Sequence, residues 1–417
     1  MRFACTKLIP VLAMNAMLFT VASADDTTSK VDASVKKEEP NFTVSPELTK
    51  IPNEEIEAAY EGKTPPEAIR MYLAISKGAM MGGNDGWFGP AASRFGWAWL
   101  AEKHGVDPKG EIEAAKFQGD AAWFKRLDRN KDGKIVAEDL DWSDRNFWVQ
   151  NASLINRLFR KADPNGDGGL TRDEWLAFYD ATAQGKTSLS SEDLREAWLA
   201  GMGSNFLPGD APTKEILLSG LFSGEVGSLQ EGPALNATAP DFALKTQDGE
   251  KTIRLSEVIG KKPVVLMFGN FTCGPFRAIS PGVETVHERF KDDAVFIGVY
   301  VREAHPTDGW KMESNSKVGV AVAQPKTYDE RKSVAQQCNQ LLKLKMPLLV
   351  DDIDDSTGNA YSGMPARLYV IDTEGQVAYK GGRGPFGFKP GEMEQALVMT
   401  LMEAATPSSD SKQTSAQ

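Results

Sequence analysis

From Asp241 onward the apolar positions switch repeatedly between a period of two and a period near 3.6, the signature of strands alternating with helices. A hairpin is predicted around Gln247, Asp248 and Gly249, then a buried strand over 264–268 and a helix over about 277–290. A second strand follows at 295–301, a helix near 331–344 and a strand at 348–350. The last elements are a hairpin of strands 367–371 and 376–379 and a closing helix from Glu392. This βαβ-αββα order predicts one sheet with helices on both faces. Residues 101–200 have a different texture, amphipathic helices separated by loops rich in Asp, Asn and Gly. Residues 201–238, richer in Gly, Pro, Ser and Ala, read as the linker between the two halves. Pro65 and Pro66 open a helical pattern carrying Ala68, Met71, Tyr72 and Ile75. With the Gly-rich stretch 78–89 and the aromatic segment from Phe95 to Leu100, it forms a segment, 65–100, to which the sequence attaches no chemistry.

The ends of the chain set its compartment. Arg2 and Lys7 precede an apolar run from Leu8 to Val21 and a small-x-small triplet, Ala22, Ser23 and Ala24, so residues 1–24 are expected to be a cleaved signal peptide and the protein secreted or periplasmic. The run is shorter than the ~20 apolar residues of a membrane span and Pro10 interrupts it, so no span is expected. Residues 25–64, rich in Lys, Glu, Thr, Ser and Pro, read as a flexible tether, and 405–417 as a disordered tail. Cleavage after Ala24 would take the formal charge from −11 to −13 and leave two cysteines, Cys273 and Cys338. An acidic chain has no electrostatic reason to bind nucleic acid. Two cysteines are too few for a disulfide scaffold, which points to chemistry for their use.

The loops of the helical half carry a calcium pattern. Asp128, Asn130, Asp132, Lys134 and Asp139 fall at positions one, three, five, seven and twelve of an EF-hand loop, with Gly133 at position six. Asp163, Asn165, Asp167, Gly169 and Glu174 repeat the pattern with the usual Glu at position twelve. A hard cation needs six to eight oxygens, and alternate residues of a tight loop supply them, those at position seven through the main-chain carbonyl. Weaker echoes at 105–116 and 182–193 have too few acidic ligands and are expected to complete two EF-hand pairs without metal. Residues 101–200 are thus expected to be an all-α EF-hand module binding Ca2+.

Cys273 follows the strand 264–268 and precedes Pro275 and a helix. A sulfur at a helix N-terminus faces unsatisfied N–H groups and the positive end of the dipole, which favour the thiolate. The segment from Phe268 to Phe276, Phe-Gly-Asn-Phe-Thr-Cys-Gly-Pro-Phe, resembles the active-site segment of the iodothyronine deiodinases, with Cys273 where the animal enzymes carry selenocysteine and Gly274 where the family usually has Pro. Tyr300 to Trp310, which includes Glu303, His305 and Asp308, resembles the family's Glu-Ala-His-x-x-Asp-Gly-Trp signature. Pro365 to Ile371 and Tyr379 to Pro385 resemble its C-terminal strands. The resemblance covers about 239–404 and implies a thioredoxin-like α/β domain, so the chain reads as multidomain. It also implies reductive dehalogenation: the sulfur attacks an aryl iodine, the ring carbon is protonated, and an external thiol reductant clears the sulfenyl iodide. Cys273 would be the nucleophile, and Glu303 and His305 would organise substrate and proton delivery. Phe276, Trp310, Pro365 and Arg367 would line the substrate pocket, and the family resemblance allows a homodimer.

Cys338, on the helix before the 348–350 strand, reads either as a resolving thiol for an intermediate on Cys273 or as a small buried apolar residue. Met364-Pro365 stands where thioredoxin folds hold a cis proline beside the catalytic cysteine. The small-molecule substrate is expected to be a halogenated phenol or, for a peroxiredoxin-like thiol peroxidase or thiol-disulfide reductant, a peroxide or disulfide. A third reading is a calcium-dependent binding protein on a redox-silent scaffold.

Overall fold

A computed structural model of the chain describes residues 51–79, 90–199 and 210–405. The expected signal peptide, most of the tether and almost all of the tail lie outside the described residues, as does most of the Gly-rich stretch. The predicted α/β half forms an eight-stranded mixed sheet: β1 (Ala92–Ser93), β4 (Ala243–Thr246), β5 (Thr252–Arg254), β6 (Val264–Gly269), β7 (Val295–Tyr300), β8 (Leu348–Val350), β9 (Arg367–Ile371) and β10 (Val377–Lys380), with β2 (Ile112–Glu113) and β3 (Lys134–Ile135) forming a separate ribbon. The order across the sheet is β1-β10-β9-β6-β7-β8-β4-β5. β6 and β7 run parallel, as do β7 and β8, whereas β9 pairs antiparallel with β6. All six residues of β6 are buried, as a near-continuous apolar run must be when helices cover both faces. β1 is an unforeseen edge strand, too short to be visible as a period.

The helix predicted near 277 begins earlier, at Gly274, and runs to Phe290 with Cys273 as its N-cap residue and Pro275 in the first turn. Helices Tyr328–Leu342 and Pro390–Ala404 match the other two predicted for this half.

Three boundaries differ from the sequence reading. Within the expected tether, Asn53–Ala59 is a helix that buries Ile56. Within the expected linker, Lys214–Ser223 is a helix whose Leu217, Leu218 and Leu221 pack with Met71, Tyr72 and Ile75 of helix Glu67–Ser76 in a second apolar cluster, joined by Trp310. Small and turn-forming residues around one short apolar helix made this stretch look like a linker, and the missing partner face lay about 140 residues upstream. The EF-hand half, expected to stand alone, shares its core with the sheet: Ile112, Phe124, Leu127 and Ile135 belong to the same apolar cluster as β6 and β7. Among the described residues no helix is long and apolar enough to cross a membrane.

Candidate functional site

Cys273 sits where β6 gives way to helix Gly274–Phe290, and the turn before it is held by side chains that are almost all buried. Asn270 is fully buried. Its Oδ1 accepts from the Cys273 N–H at 3.0 Å and the Ala304 N–H at 3.2 Å, while its Nδ2 donates to the Pro365 carbonyl at 3.0 Å. The Met364-Pro365 bond is cis, as expected, and the Gly384-Pro385 bond is cis as well. Thr272 Oγ1 donates to Glu303 Oε2 at 2.8 Å and accepts from the backbone N–H groups of Ala304 and His305 at 3.1 and 3.0 Å. Glu303 accepts in addition from the Thr272 N–H at 2.9 Å and from the Tyr300 hydroxyl. The loop after β6 and the loop after β7 are thereby tied together at adjacent strand ends, which the parallel pairing of β6 with β7 brings side by side.

Glu303 thus grips the residue before Cys273 rather than the sulfur. Burial pushes its carboxyl upward, against the hydrogen bonds from Tyr300 and Thr272 that favour the charged form. His305 is half-buried. Its ring meets Trp310 edge to face with centroids 4.5 Å apart, and its Nδ1 donates to the Trp310 carbonyl at 3.2 Å. A carbonyl can only accept, so the proton is on Nδ1 and Nε2 keeps its lone pair. Burial lowers the imidazole to about 4, so the ring is neutral at pH 7.

The expected thiolate is not found. Cys273 is 2% exposed, and burial pushes its thiol up to about 11, outweighing the Phe276 N–H and the Arg277 charge that pull it down. The helix terminus is present as expected, but desolvation wins. At this depth the sulfur is closed to solvent. The cleft lined by Gly224, Ser228, Arg302, Asp355 and Met364 includes neither Cys273 nor His305.

Of the four expected pocket residues, Trp310 and Pro365 stand by the site through the contacts above. Phe276 packs in the core: its ring lies against Gly269, where a Cβ would come within 2.1 Å, and it meets Phe388 edge to face. Arg367 is buried and held by a carboxylate. Its guanidinium pairs with Glu67 at 2.7 Å, and Arg383 pairs with the second oxygen of the same carboxylate at 3.1 Å. These two charges outweigh the burial of Glu67 and lower its carboxyl to about 2. The segment to which the sequence attached no chemistry therefore delivers one carboxylate to two buried arginines of the sheet. Cys338 and Cys273 are both free thiols. Cys338 is fully buried in the apolar core, which pushes its thiol upward, so its environment is that of an apolar filler.

Asn270, Thr272, Arg277 and Asn315 were missed as functional residues. The available signal was local: Asn270 and Thr272 are polar positions at the mouth of a strand otherwise closed to water. Arg277 and Asn315, which hydrogen-bond the carbonyls of Phe271 and Thr272, left no comparable mark.

Both calcium loops adopt the turn that the spacing requires. Lys131 and Gly133, and likewise Gly166 and Gly168, have positive φ at positions four and six. In the first loop Asp128 accepts from the Gly133 N–H at 3.0 Å, and Asp139 is turned to the N–H groups of Arg129 and Val136 at 3.0 and 2.9 Å. In the second, Asp163 accepts from Gly166 and Gly168 at 2.9 and 3.0 Å, and Glu174 closes the loop onto Asn165 Nδ2 at 2.7 Å. Among the described residues no three His, Cys, Asp or Glu side chains converge on one point. The donor sets are mixed, with Asn130, Asn165 and the carbonyls of Lys134 and Gly169 taking their share. They fit a cation nonetheless: burial raises the Asp163 carboxyl, and Asp167 and Glu174 facing it raise it further, a repulsion that a bound cation relieves. The echo at 105–116 pairs with the first loop, its position-eight Ile112 opposite position-eight Ile135 across β2 and β3.

With this geometry in hand, the comparisons with known proteins agree with it. The profile of the iodothyronine deiodinases matches residues 222–400, and that of the EF hand matches 120–140 and 155–179. Thyroxine 5-deiodinase of Gallus gallus is 33% identical over 181 residues, 43% of this chain and 68% of that protein. Thyroxine 5-deiodinase of Sparus aurata is 31% identical over 167 residues, 39% of this chain and 60% of that protein, and against the Rattus norvegicus protein the chain spans about half the length. A putative thiol:disulfide interchange protein DsbE from Chlorobium tepidum is similar at 22% identity, over 40% of this chain and 98% of that one, with a TM-score of 0.29. The turn after β6 that carries Asn270, Thr272 and Cys273, the facing loop with Glu303 and His305, the match over residues 222–400 and the 33% identity to a deiodinase covered over 68% of its length together show that this chain belongs to the iodothyronine deiodinase family of enzymes.

Proposed function

We propose that this protein is an exported, calcium-binding thiol oxidoreductase that removes iodide reductively from an iodinated aromatic substrate through Cys273. The observation that carries the proposal is the interlocked turn: Asn270, Thr272, Glu303 and His305 fix the Cys273 backbone at a helix N-terminus while a neutral imidazole with a free Nε2 lone pair stands on the adjoining loop. In the reaction the Cys273 thiolate attacks iodine, the carbon–iodine bond breaks and its electron pair takes up a proton at carbon. A first external thiol displaces iodide from the sulfenyl iodide as a mixed disulfide, and a second releases the enzyme thiol and a disulfide. The Nε2 of His305 accepts a proton from the thiol or from the substrate phenol.

Calcium belongs to the reading because both loops have the turn and the oxygen donors. The leader expected at residues 1–24 would carry the chain to a compartment where millimolar calcium fills even weak sites, which stabilises the fold by mass action.

The test is iodide release from an iodinated phenol or thyronine with a dithiol reductant, using the intact protein and Cys273→Ser, with hydrogen peroxide as rival substrate. Iodide release that disappears in the variant supports the proposal. Peroxide turnover without iodide release would replace it with a thiol peroxidase.

A further inference from the structure

Among the described residues four arginines are less than 5% exposed: Arg277, Arg331, Arg367 and Arg383. Three have a carboxylate partner, Arg331 through Asp355 at 2.7 Å and the other two through Glu67. Arg277 is the exception. Its Nη1 donates to the Phe271 carbonyl and its Nη2 to Asn315 Oδ1 at 2.9 Å, while its Nε, like that of the other three, has no partner. Both partners are neutral, and the guanidinium lies 5.9 Å from the centre of the Phe271 ring. A buried cation costs several kcal/mol unless a counter-charge is near; no carboxylate is hydrogen-bonded to this one, and of the groups whose negative charge would favour it Cys273 comes first, ahead of Cys338, Glu303 and Tyr300.

Arg277 is one helical turn beyond Cys273, on the same face of helix Gly274–Phe290, and its N–H donates to the Cys273 carbonyl at 3.2 Å. Asn315 extends the grip, since its Nδ2 donates to the Thr272 carbonyl at 2.7 Å. The two residues before the sulfur are therefore clamped by Arg277, one directly and one through Asn315. We infer that Arg277 is a positioning residue for Cys273: its guanidinium holds the Phe271–Thr272 turn that presents the sulfur and is the latent counter-ion that stabilises the thiolate once the proton leaves. The inference rests on Cys273 being the reacting group.

The surroundings of the sulfur leave few rivals for that task. From the Tyr300–His305 segment, Tyr300 is held neutral by burial, His305 is neutral at pH 7, and Glu303 opposes ionisation of the thiol. From helix Tyr328–Leu342, Cys338 is a neutral thiol. Arg277 is the charge that favours the thiolate, and the Cys273 sulfur in turn supports the charge on Arg277.

The experiment is the pH dependence of Cys273 alkylation by iodoacetamide, followed by peptide mass spectrometry on the full-length protein with calcium, for wild type, Arg277→Lys, Arg277→Met and Asn315→Asp. Arg277→Met is expected to raise the alkylation midpoint by about one pH unit or more, a tenfold loss of rate at a fixed pH below it. Arg277→Lys keeps the charge without the fork and should fall between. Asn315→Asp places a carboxylate on the guanidinium, keeps the bond that Arg277 donates, gives up the one to the Thr272 carbonyl, and should also raise the midpoint, which gives a second reading where Arg277→Met does not fold. A purely structural role would leave the midpoints of the folded variants within about 0.3 of wild type, and that result overturns the inference. Failure of the dehalogenase reading looks different: no iodide release from wild type, with the order of alkylation midpoints intact.

Discussion

Thr272→Val removes one hydroxyl from a fully enclosed site and replaces it with a methyl of similar size, so its cost isolates the polar network around Cys273. Thr272 Oγ1 serves four partners at 2.8 to 3.2 Å: the Glu303 carboxylate, Asn270 Oδ1 and the N–H groups of Ala304 and His305. Ala304 keeps a second acceptor in Asn270 Oδ1, but the His305 N–H is left with none. An orphaned buried donor costs roughly 1–3 kcal/mol, and a hydrogen bond to a charged group contributes about 1.5–3 kcal/mol. The expected destabilisation is about 3 kcal/mol. Thr272→Ser is the control: it keeps every hydrogen bond and loses one methyl, at about 1 kcal/mol. Guanidinium unfolding followed by circular dichroism in excess calcium measures both. A Val variant that costs less than about 1 kcal/mol, or less than the Ser variant, would refute the view that this hydroxyl ties the two loops together.

Two further perturbations test other parts of the structure. Glu67 is lowered from 4.5 to about 2 in the folded protein, so its stabilising effect is present above pH 4.5 and is lost as pH falls from there towards 2. Glu67→Gln should destabilise the protein by about 3–5 kcal/mol at pH 7 and flatten that acidic limb of the stability profile; an unchanged limb would place the acid sensitivity elsewhere. At Gly168, φ is +76° and a Cβ would stand 2.6 Å from Pro281 Cγ and 2.7 Å from the Arg277 carbonyl oxygen, so the second calcium loop leans on the helix that begins at the thiol. Gly168→Ala should cost about 1–3 kcal/mol in thermal unfolding measured with chelator present, and a loss seen only with calcium would show that the contact does not matter to the apo fold.

The strand-helix alternation from Asp241 onward was legible because each element buries one or both faces against its neighbours in sequence, and the period of the apolar residues records that directly. The strand at 348–350 and the hairpin strand at 367–371 were placed to the residue. The EF-hand turns were legible for a related reason, since ligand spacing, the glycine at position six and the apolar position eight are all local requirements. Cys273, Glu303 and His305 were found through their short motifs. What those residues do to one another was not legible. The prediction of a thiolate considered only the helix end, which is local, and omitted the desolvation imposed by everything packed around it.

The sequence by itself therefore determined the order of the elements, the position of the sulfur at a strand-to-helix turn, the two calcium loops and the family. The tertiary structure alone decided which charges meet. Glu67 joins Arg367 and Arg383 across about 300 residues of chain. The helix at 214–223 becomes a packed element because it finds helix 67–76, and Arg277 is left without a carboxylate beside Cys273. Periodicity and motif spacing are properties of neighbours along the chain. Burial, counter-charge and the protonation state that follows from them depend on residues far apart in sequence, and no local pattern records them.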